Sequence, residues 1–298
     1  MKKHLELSLG AKKCNMFFLF LPSVMLLAVF FVGPMLLTLY YSFTDISLTG
    51  TNAHALKFIG FQNFVEIFKD PKFKTVFRNT MLFLVLSGIV GQQVFGFLLA
   101  YLMQRKSRTL RKFVGFTLVV GWITPEIVAA FMFNAFFADK GTLNLIFHFF
   151  GVSPVSWLFT FPLVSVIIAN IWKGSAYSMM MFQAALDNVS SEIIEAARTD
   201  GANGFQVLTK IILPMLKGTM TTTFIIVTLS TLGAFGLIYA MTGGGPGIRT
   251  TTLSVYMYQK AFATYQVGYG MAIALIILVV GVLLSLIYVR STKSQGVR

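Results

Sequence analysis

Six times along this chain an apolar stretch runs for about twenty residues or more with scarcely a charge in it. In hydrocarbon every backbone N–H and C=O must find its partner within the protein, so each such stretch is expected to be a helix that crosses a bilayer. The stretches cover about 16–41, 80–102, 113–137, 161–186, 220–241 and 269–289, and together they form a transmembrane domain over 16–289. A polar segment over 1–15 precedes them and a basic tail over 290–298 follows. The first run contains Pro22 and Pro34 and lacks a small-x-small cleavage site, so it reads as a span and not as a cleaved leader. The expected fold class is an all-α integral membrane protein.

The few charges orient it. The loop Gln104–Lys112 holds Arg105, Lys106, Arg108, Arg111 and Lys112 and no acid, which puts it in the cytoplasm. Lys2, Lys3, Lys12 and Lys13 precede the first span, and Arg290, Lys293 and Arg298 follow the last, so both termini are expected there too. The net charge of +14 then belongs to topology and anionic lipid, not to a nucleic acid. The first external connection runs against this rule with Lys57, Lys69, Lys72, Lys74 and Arg78. Phe61, Phe64, Val65 and Phe68 line one side of a helix there, and a helix lying in the interface would set those bases among lipid headgroups. One cysteine, Cys14, excludes an intrachain disulfide, and His4, His54 and His148 lie too far apart for metal-ligand spacing. With no Gly-x4-Gly-Lys-Ser/Thr phosphate loop and no nucleophile–base pairing, the chain is not expected to be an enzyme or to bind a cofactor.

One segment, 190–214, is amphipathic where its neighbours are uniformly apolar. Ser190 or Ser191 can cap a short helix with Glu192 in its first turn. Gly201 interrupts it, and Asn203 with Gln206 forms a capping box that restarts it. Phe205, Leu208 and Ile211–Ile212 recur at helical spacing, and Pro214 turns the chain toward the next span. The result is a helix–Gly–helix knuckle on the membrane surface. Its residues resemble the cytoplasmic signature of permease subunits of binding-protein-dependent ABC importers: Glu195-Ala196-Ala197, three residues, Gly201, nine residues, Ile211, one residue, Leu213-Pro214. Two looser stretches resemble the carbohydrate-uptake, maltose/oligosaccharide-type branch. One holds Gly60, Asn63–Phe64, Asp70, Phe73 and Asn79–Thr80; the other is Thr-Gly-Gly-Gly-Pro over 242–246 with Thr250–Thr252 beyond. The resemblance covers roughly 34–289.

The resemblance implies a six-helix importer permease of type I in a bacterial cytoplasmic membrane. Its partners would be a homologous second permease, two cytoplasmic ATPase subunits that bind ATP and Mg, and an extracytoplasmic substrate-binding protein. Glu195 would be the charged contact to the ATPase, Ala196 and Ala197 would permit close approach, Gly201 the bend, and Leu213 and Pro214 complete the segment. Gly174-x-x-Tyr177, ahead of the knuckle, is similar to the place where maltose-type permeases set an aromatic ring against sugar. Ser230 and Thr231 in the fifth span either contact the same substrate or bridge neighbouring helices. Gln92 and Gln93 read as interhelical contacts in preference to ligand contacts. Glu126, beside Pro125, either reaches a water-filled cavity or lies near the external interface, and neither it nor Lys173 has an assignable partner in sequence. The implied function is import of a carbohydrate, most simply an oligosaccharide, by alternating access. Two alternatives stay open: a permease for another polar solute such as glycerol 3-phosphate, and an ATP-independent secondary transporter, which would need ionisable relays or inverted repeats.

Overall fold

The computed structural model describes residues 20–50, 56–104 and 106–293. The N-terminal segment 1–19 with Cys14 and His4, His54, Arg105 and the tail from 294 lie outside the described residues. Among those described, regular structure is helical apart from one antiparallel bridge between Thr44 and Phe58. Three helices are long and apolar enough to cross a membrane alone: α1 (Phe20–Tyr41), α3 (Pro71–Met103) and α14, which runs over Val267–Lys293. Between α1 and α3 lies α2 (Gln62–Lys69). It buries Asn63 and Ile67 while Phe61, Val65 and Phe68 stay exposed, and the Asn63 amide donates to the carbonyls of Ser42 and Thr44. Phe64, expected on the exposed side, is half-buried against the apolar cluster around Ile67.

The interior is organised around α3 and α8 (Pro162–Asp187), which run parallel. Ser87 meets Asn170, Gln92 meets Gly174, and Gly96 meets Ser178 in rising order along both. A Cβ at Gly96 would stand 2.5 Å from the Ser178 Cβ, so the missing side chain is what lets the two backbones approach. Asn170 Nδ2 donates to Ser87 Oγ at 2.8 Å, and Gln92 Nε2 donates to the Asn170 carbonyl at 3.1 Å. At 26 residues, or about 39 Å, α8 is long enough to span, yet it is less apolar than α1, α3 or α14. It buries Ser165, Asn170, Ser175 and Ser178, as befits a helix enclosed by others: Asn170 bonds to Ser87 of α3, the Ser165 hydroxyl donates to the Phe161 carbonyl and the Ser175 hydroxyl to the Trp172 carbonyl of its own helix, while Ser178 packs on Gly96.

Two of the expected spans are not continuous helices. The stretch 113–137 is α4 (Arg108–Ile123) and α5 (Glu126–Phe137). With α6 (Thr142–Phe149) continuing α5, the two arms meet at 105°. Pro125 supplies no N–H and drives Thr124 into an extended conformation (ψ 125°), which ends α4. After the short α7 (Trp157–Thr160) comes α8, then α9 (Ser191–Thr199) and α10 (Gly204–Met215). The stretch 220–241 is likewise two pieces, α11 (Lys217–Leu232) and α12 (Gly236–Thr242), separated where Gly233 and Gly236 bracket the chain. Hydropathy stays apolar through both breaks; Pro125 announces the first in the sequence, whereas a reading by composition passes over the second. α13 (Leu253–Tyr258) and α14 complete the chain.

Outside the helices, Gly243, Gly244 and Gly247 adopt left-handed φ of 62°, 95° and 61°, the backbone freedom that the Thr-Gly-Gly-Gly-Pro turn demands. Thr250, Thr251 and Thr252 are buried beneath it. Asn79 Nδ2 donates to the Ile248 carbonyl at 2.8 Å, and Thr80 Oγ1 accepts the Leu253 N–H at 2.8 Å. The two looser stretches of resemblance are therefore one packed unit.

Candidate functional site

The knuckle forms where the sequence places it, for local reasons. Ser190 Oγ accepts the Glu192 N–H at 3.2 Å and starts α9. The helix closes with the Gly201 N–H donating to the Arg198 carbonyl at 3.0 Å and the Ala202 N–H to the Ala197 carbonyl at 2.9 Å, with Gly201 at φ 83°. This pair of bonds needs a left-handed residue at the position Gly201 holds. The capping box follows: the Gln206 N–H donates to Asn203 Oδ1 at 2.9 Å and the Asn203 N–H to Gln206 Oε1 at 2.8 Å. The buried face differs from the expected one. Val207 and Ile212 are 4% and 3% exposed, Leu208 and Ile211 are half-buried, and Phe205 is 73% exposed. A π-helical stretch over Leu208–Ile212 widens the turn and brings Val207 and Ile212 to the inner side.

Those inner residues join the knuckle to the bundle. Val207, Ile212 and Leu216 share one apolar cluster with Ala100 of α3 and Met179, Phe182 and Leu186 of α8, and Ile194 and Ala197 lean on it. The opposite face carries Glu195, Ala196, Gly201, Phe205 and Pro214, all exposed, while Leu213 is half-buried. The Glu195 carboxylate has no ion-pair partner among the described residues. A cleft beside it is lined by Tyr101, Gln104, Ile194, Arg198 and Val207.

The four residues expected at a substrate site lie on α8 and α11, but each meets a different neighbour. Gly174 is covered by the Gln92 carboxamide, whose position a Cβ would occupy. Tyr177 lies against Trp122 of α4, with ring centroids 6.2 Å apart. Thr231 is buried on Gly88 of α3, where a Cβ would come within 2.9 Å of its Oγ1. Ser230 is exposed. Lys173 gains the partner that sequence could not supply: its ammonium donates to the Thr124 carbonyl at 2.8 Å, at the C-terminal end of α4, where a cation suits the helix dipole. Glu126 is exposed, and its Oε2 lies 2.5 Å from where a Cβ on Gly236 would stand. Both charges thus sit at the level where α4–α5 and α11–α12 break. Among the described residues no group of three or more His, Cys, Asp or Glu converges as a metal site would require.

Comparison with known proteins places this architecture. The profile of the family described as binding-protein-dependent transport system inner membrane component matches residues 92–295. The sulfoquinovosyl glycerol transport system permease protein SmoG of Agrobacterium fabrum is 31% identical over 278 residues, covering 92% of this chain and 89% of that one. The multiple sugar-binding transport system permease protein MsmF of Streptococcus mutans is 32% identical over 279 residues, 93% and 94% of the two chains. A chain in the crystal structure of a bacterial ABC transporter that imports the acidic polysaccharide alginate superposes with a TM-score of 0.80 at 21% identity, covering 96% of this chain and 97% of that one. With a family profile spanning two thirds of its length, a sugar-transport relative above 30% identity over nearly all of it and the fold of an importer subunit, this chain belongs to the binding-protein-dependent ABC importer permeases, multi-pass components of the inner membrane.

Proposed function

We propose that this chain is one permease subunit of an ATP-driven importer that moves an oligosaccharide into the cytoplasm by alternating access. The carbohydrate class is supported by the sugar-transport relatives, and the family's dependence on a binding protein supports an external partner that delivers the substrate. A homologous permease completes the pathway, and two ATPase subunits supply the energy. Six spans carry the chain across the membrane with both termini in the cytoplasm, the bent pair α4–α5 and the pair α11–α12 each counting as one.

The observation that carries the reading is the two-sided knuckle. One face, with Glu195, Ala196 and Gly201, is free and small enough for an ATPase to approach closely. The other is seated by Val207, Ile212 and Leu216 on the ends of α3 and α8. Displacement of the knuckle therefore displaces two helices of the interior, and α8 carries Gly174 and Tyr177 along its length. Packed cores transmit such shifts because they do not compress.

The test is a reconstituted assembly of both permeases, the ATPases and the binding protein in vesicles. Glu195→Lys reverses the one charge among the signature positions, and Gly201→Val forces a β-branched residue to a positive φ. A charge-assisted contact of about 1.5–3 kcal/mol corresponds to roughly a ten- to hundredfold loss of ATPase coupling. Both variants should insert normally and lose binding-protein-stimulated ATP hydrolysis together with uptake. Wild-type coupling in both would remove the knuckle from power transmission.

A further inference from the structure

Beyond the breaks in α4–α5 and α11–α12, four aromatic rings form an unbroken series. Phe235 and Tyr239 have centroids 5.1 Å apart, Phe235 and Tyr258 4.6 Å, Tyr239 and Tyr258 5.0 Å, and Tyr258 and Phe262 5.3 Å. Phe235 caps α12 and Tyr239 lies within it, while Tyr258 ends α13 and Phe262 lies in its π-helical extension Gln259–Ala263, so each pair is spaced four residues apart. Tyr239 is 39% exposed and Phe262 57%, so the series is open along one side.

Aromatic rings at the edge of a membrane protein ordinarily belong to an interfacial belt against lipid. Glu126 argues otherwise for this series. Its carboxylate rests on Gly236, the residue after Phe235, and it is exposed with no ion-pair partner among the described residues. A carboxylate facing hydrocarbon is costly, so the inner end of the series opens onto water. Rings whose exposed faces meet water, beside a carboxylate that can accept two or more hydrogen bonds, match a saccharide: C–H faces stack on the rings while hydroxyls donate to the carboxylate. Neither the Tyr239 nor the Tyr258 hydroxyl is bonded to another described residue, so both can pair with a ligand.

We propose that Phe235, Tyr239, Tyr258 and Phe262, with Glu126 at their inner end, form a second carbohydrate subsite on the far side of the helix breaks from the Trp122–Tyr177 pair. It rests on the reading of this chain as a carbohydrate permease and adds to it a station on the outer side of the path. The series runs from the external connection inward to the break, where Ser230 on α11 is also exposed. A saccharide released at the outer end meets rings before it meets the interior.

Saturation-transfer difference NMR on the full chain in lipid nanodiscs, with maltotriose and a panel of other neutral di- and trisaccharides as probes, tests this. For at least one probe, Tyr239→Ala and Phe262→Ala each weaken binding by about three- to tenfold relative to wild type. Tyr239→Phe, which keeps the ring, stays within twofold, and Glu126→Gln weakens binding of the same probe. Unfolding temperatures of the variants, measured in the same nanodiscs, exclude misfolding as the cause. Unchanged binding in the ring variants alongside loss in Tyr177→Ala would assign the rings to lipid or to a neighbouring subunit, overturning the subsite and leaving the carbohydrate permease intact. Absence of transfer from wild type to every saccharide would overturn the carbohydrate reading, and the subsite with it.

Discussion

At the foot of α3 the Asp70 carboxylate accepts the Lys72 N–H at 2.9 Å as an N-cap, accepts the Tyr256 hydroxyl, and lies 3.7 Å from the Lys260 ammonium. That ammonium also sits 4.7 Å from the centre of the Tyr269 ring. Partial burial pushes the Asp70 pKa up, but the Tyr256 hydroxyl, the Lys72 N–H and the Lys260 charge together hold it below its ordinary 3.8, while burial and this same bond push the Tyr256 phenol upward. A carboxyl depressed in the folded state contributes stability that is complete above its unfolded pKa and is lost as pH falls through the folded one. Its contribution is therefore full at neutral pH and disappears only below about pH 3.8. Asp70→Asn keeps an oxygen to receive Tyr256 but loses the charge; Asp70→Ala loses both and the cap, about 1 kcal/mol for the cap alone. The unfolding temperature in nanodiscs should fall in the order wild type, Asn, Ala, and the gap between wild type and Asn should close below that pH. Equal unfolding temperatures for all three at pH 7 would show that the junction does not depend on this residue.

Among the elements, the junction of α4 with α5 is the one whose chemistry is carried from outside it. Pro125 ends α4 and leaves its last carbonyls without helical partners, and Lys173 of α8 reaches the one at Thr124. A hydrogen bond from a charged donor is worth about 1.5–3 kcal/mol, so Lys173→Met should lower the unfolding temperature by several degrees while Lys173→Arg recovers most of it. If Met and Arg behaved alike, the contact would be incidental. The knuckle differs in kind: its capping box, its closing bonds and its left-handed glycine are all made by residues within a few positions of one another. This is why the helix–Gly–helix shape was legible from sequence while the partner of Lys173, 49 residues from Thr124, was not. The ring series was half legible, since Phe235–Tyr239 and Tyr258–Phe262 each show the four-residue spacing of a helical pair. Only the tertiary fold brings the two pairs together across two elements.

At the scale of the whole molecule, the basic loops bear on its orientation in the membrane. Bases crowd the Gln104–Lys112 loop, and Arg108, Lys112 and Gly115 border a cleft there in which Arg111 pairs with Asp187 at the end of α8. If that end faces the cytoplasm, single cysteines at Arg108 and Lys140 in a Cys14→Ser background should label from opposite sides of right-side-out vesicles, Lys140→Cys from outside and Arg108→Cys only after permeabilisation. Labelling of both from one side would overturn the six-span arrangement. That orientation leaves the bases of the first connection on the outer side, against the positive-inside rule. Lys74 borders an apolar groove with Phe64, Phe68, Phe73 and Phe77 beside α14, an arrangement in which rings against hydrocarbon would leave its ammonium within reach of a lipid headgroup.

By itself the sequence determined what depends on neighbours along the chain: that the segments are helices, that they are apolar enough for a bilayer, which loops are basic, and how the knuckle is capped. Tertiary structure alone decided which polar residues meet. Gln92 covers Gly174, Thr231 packs on Gly88, Asn79 holds the glycine turn, and Glu126 lies on Gly236, each pair joined by helices more than fifty residues apart in the chain or by a loop folded back on α3. It also decided how sharply the chain bends at the break that Pro125 announces in 113–137, and that the stretch 220–241 is broken at all, because a glycyl interruption leaves hydropathy unchanged and a prolyl one does not fix an angle. The physical reason is common to both. Helix formation and membrane partitioning are summed over local residues, whereas the satisfaction of a buried polar group depends on whatever the fold brings within hydrogen-bonding distance.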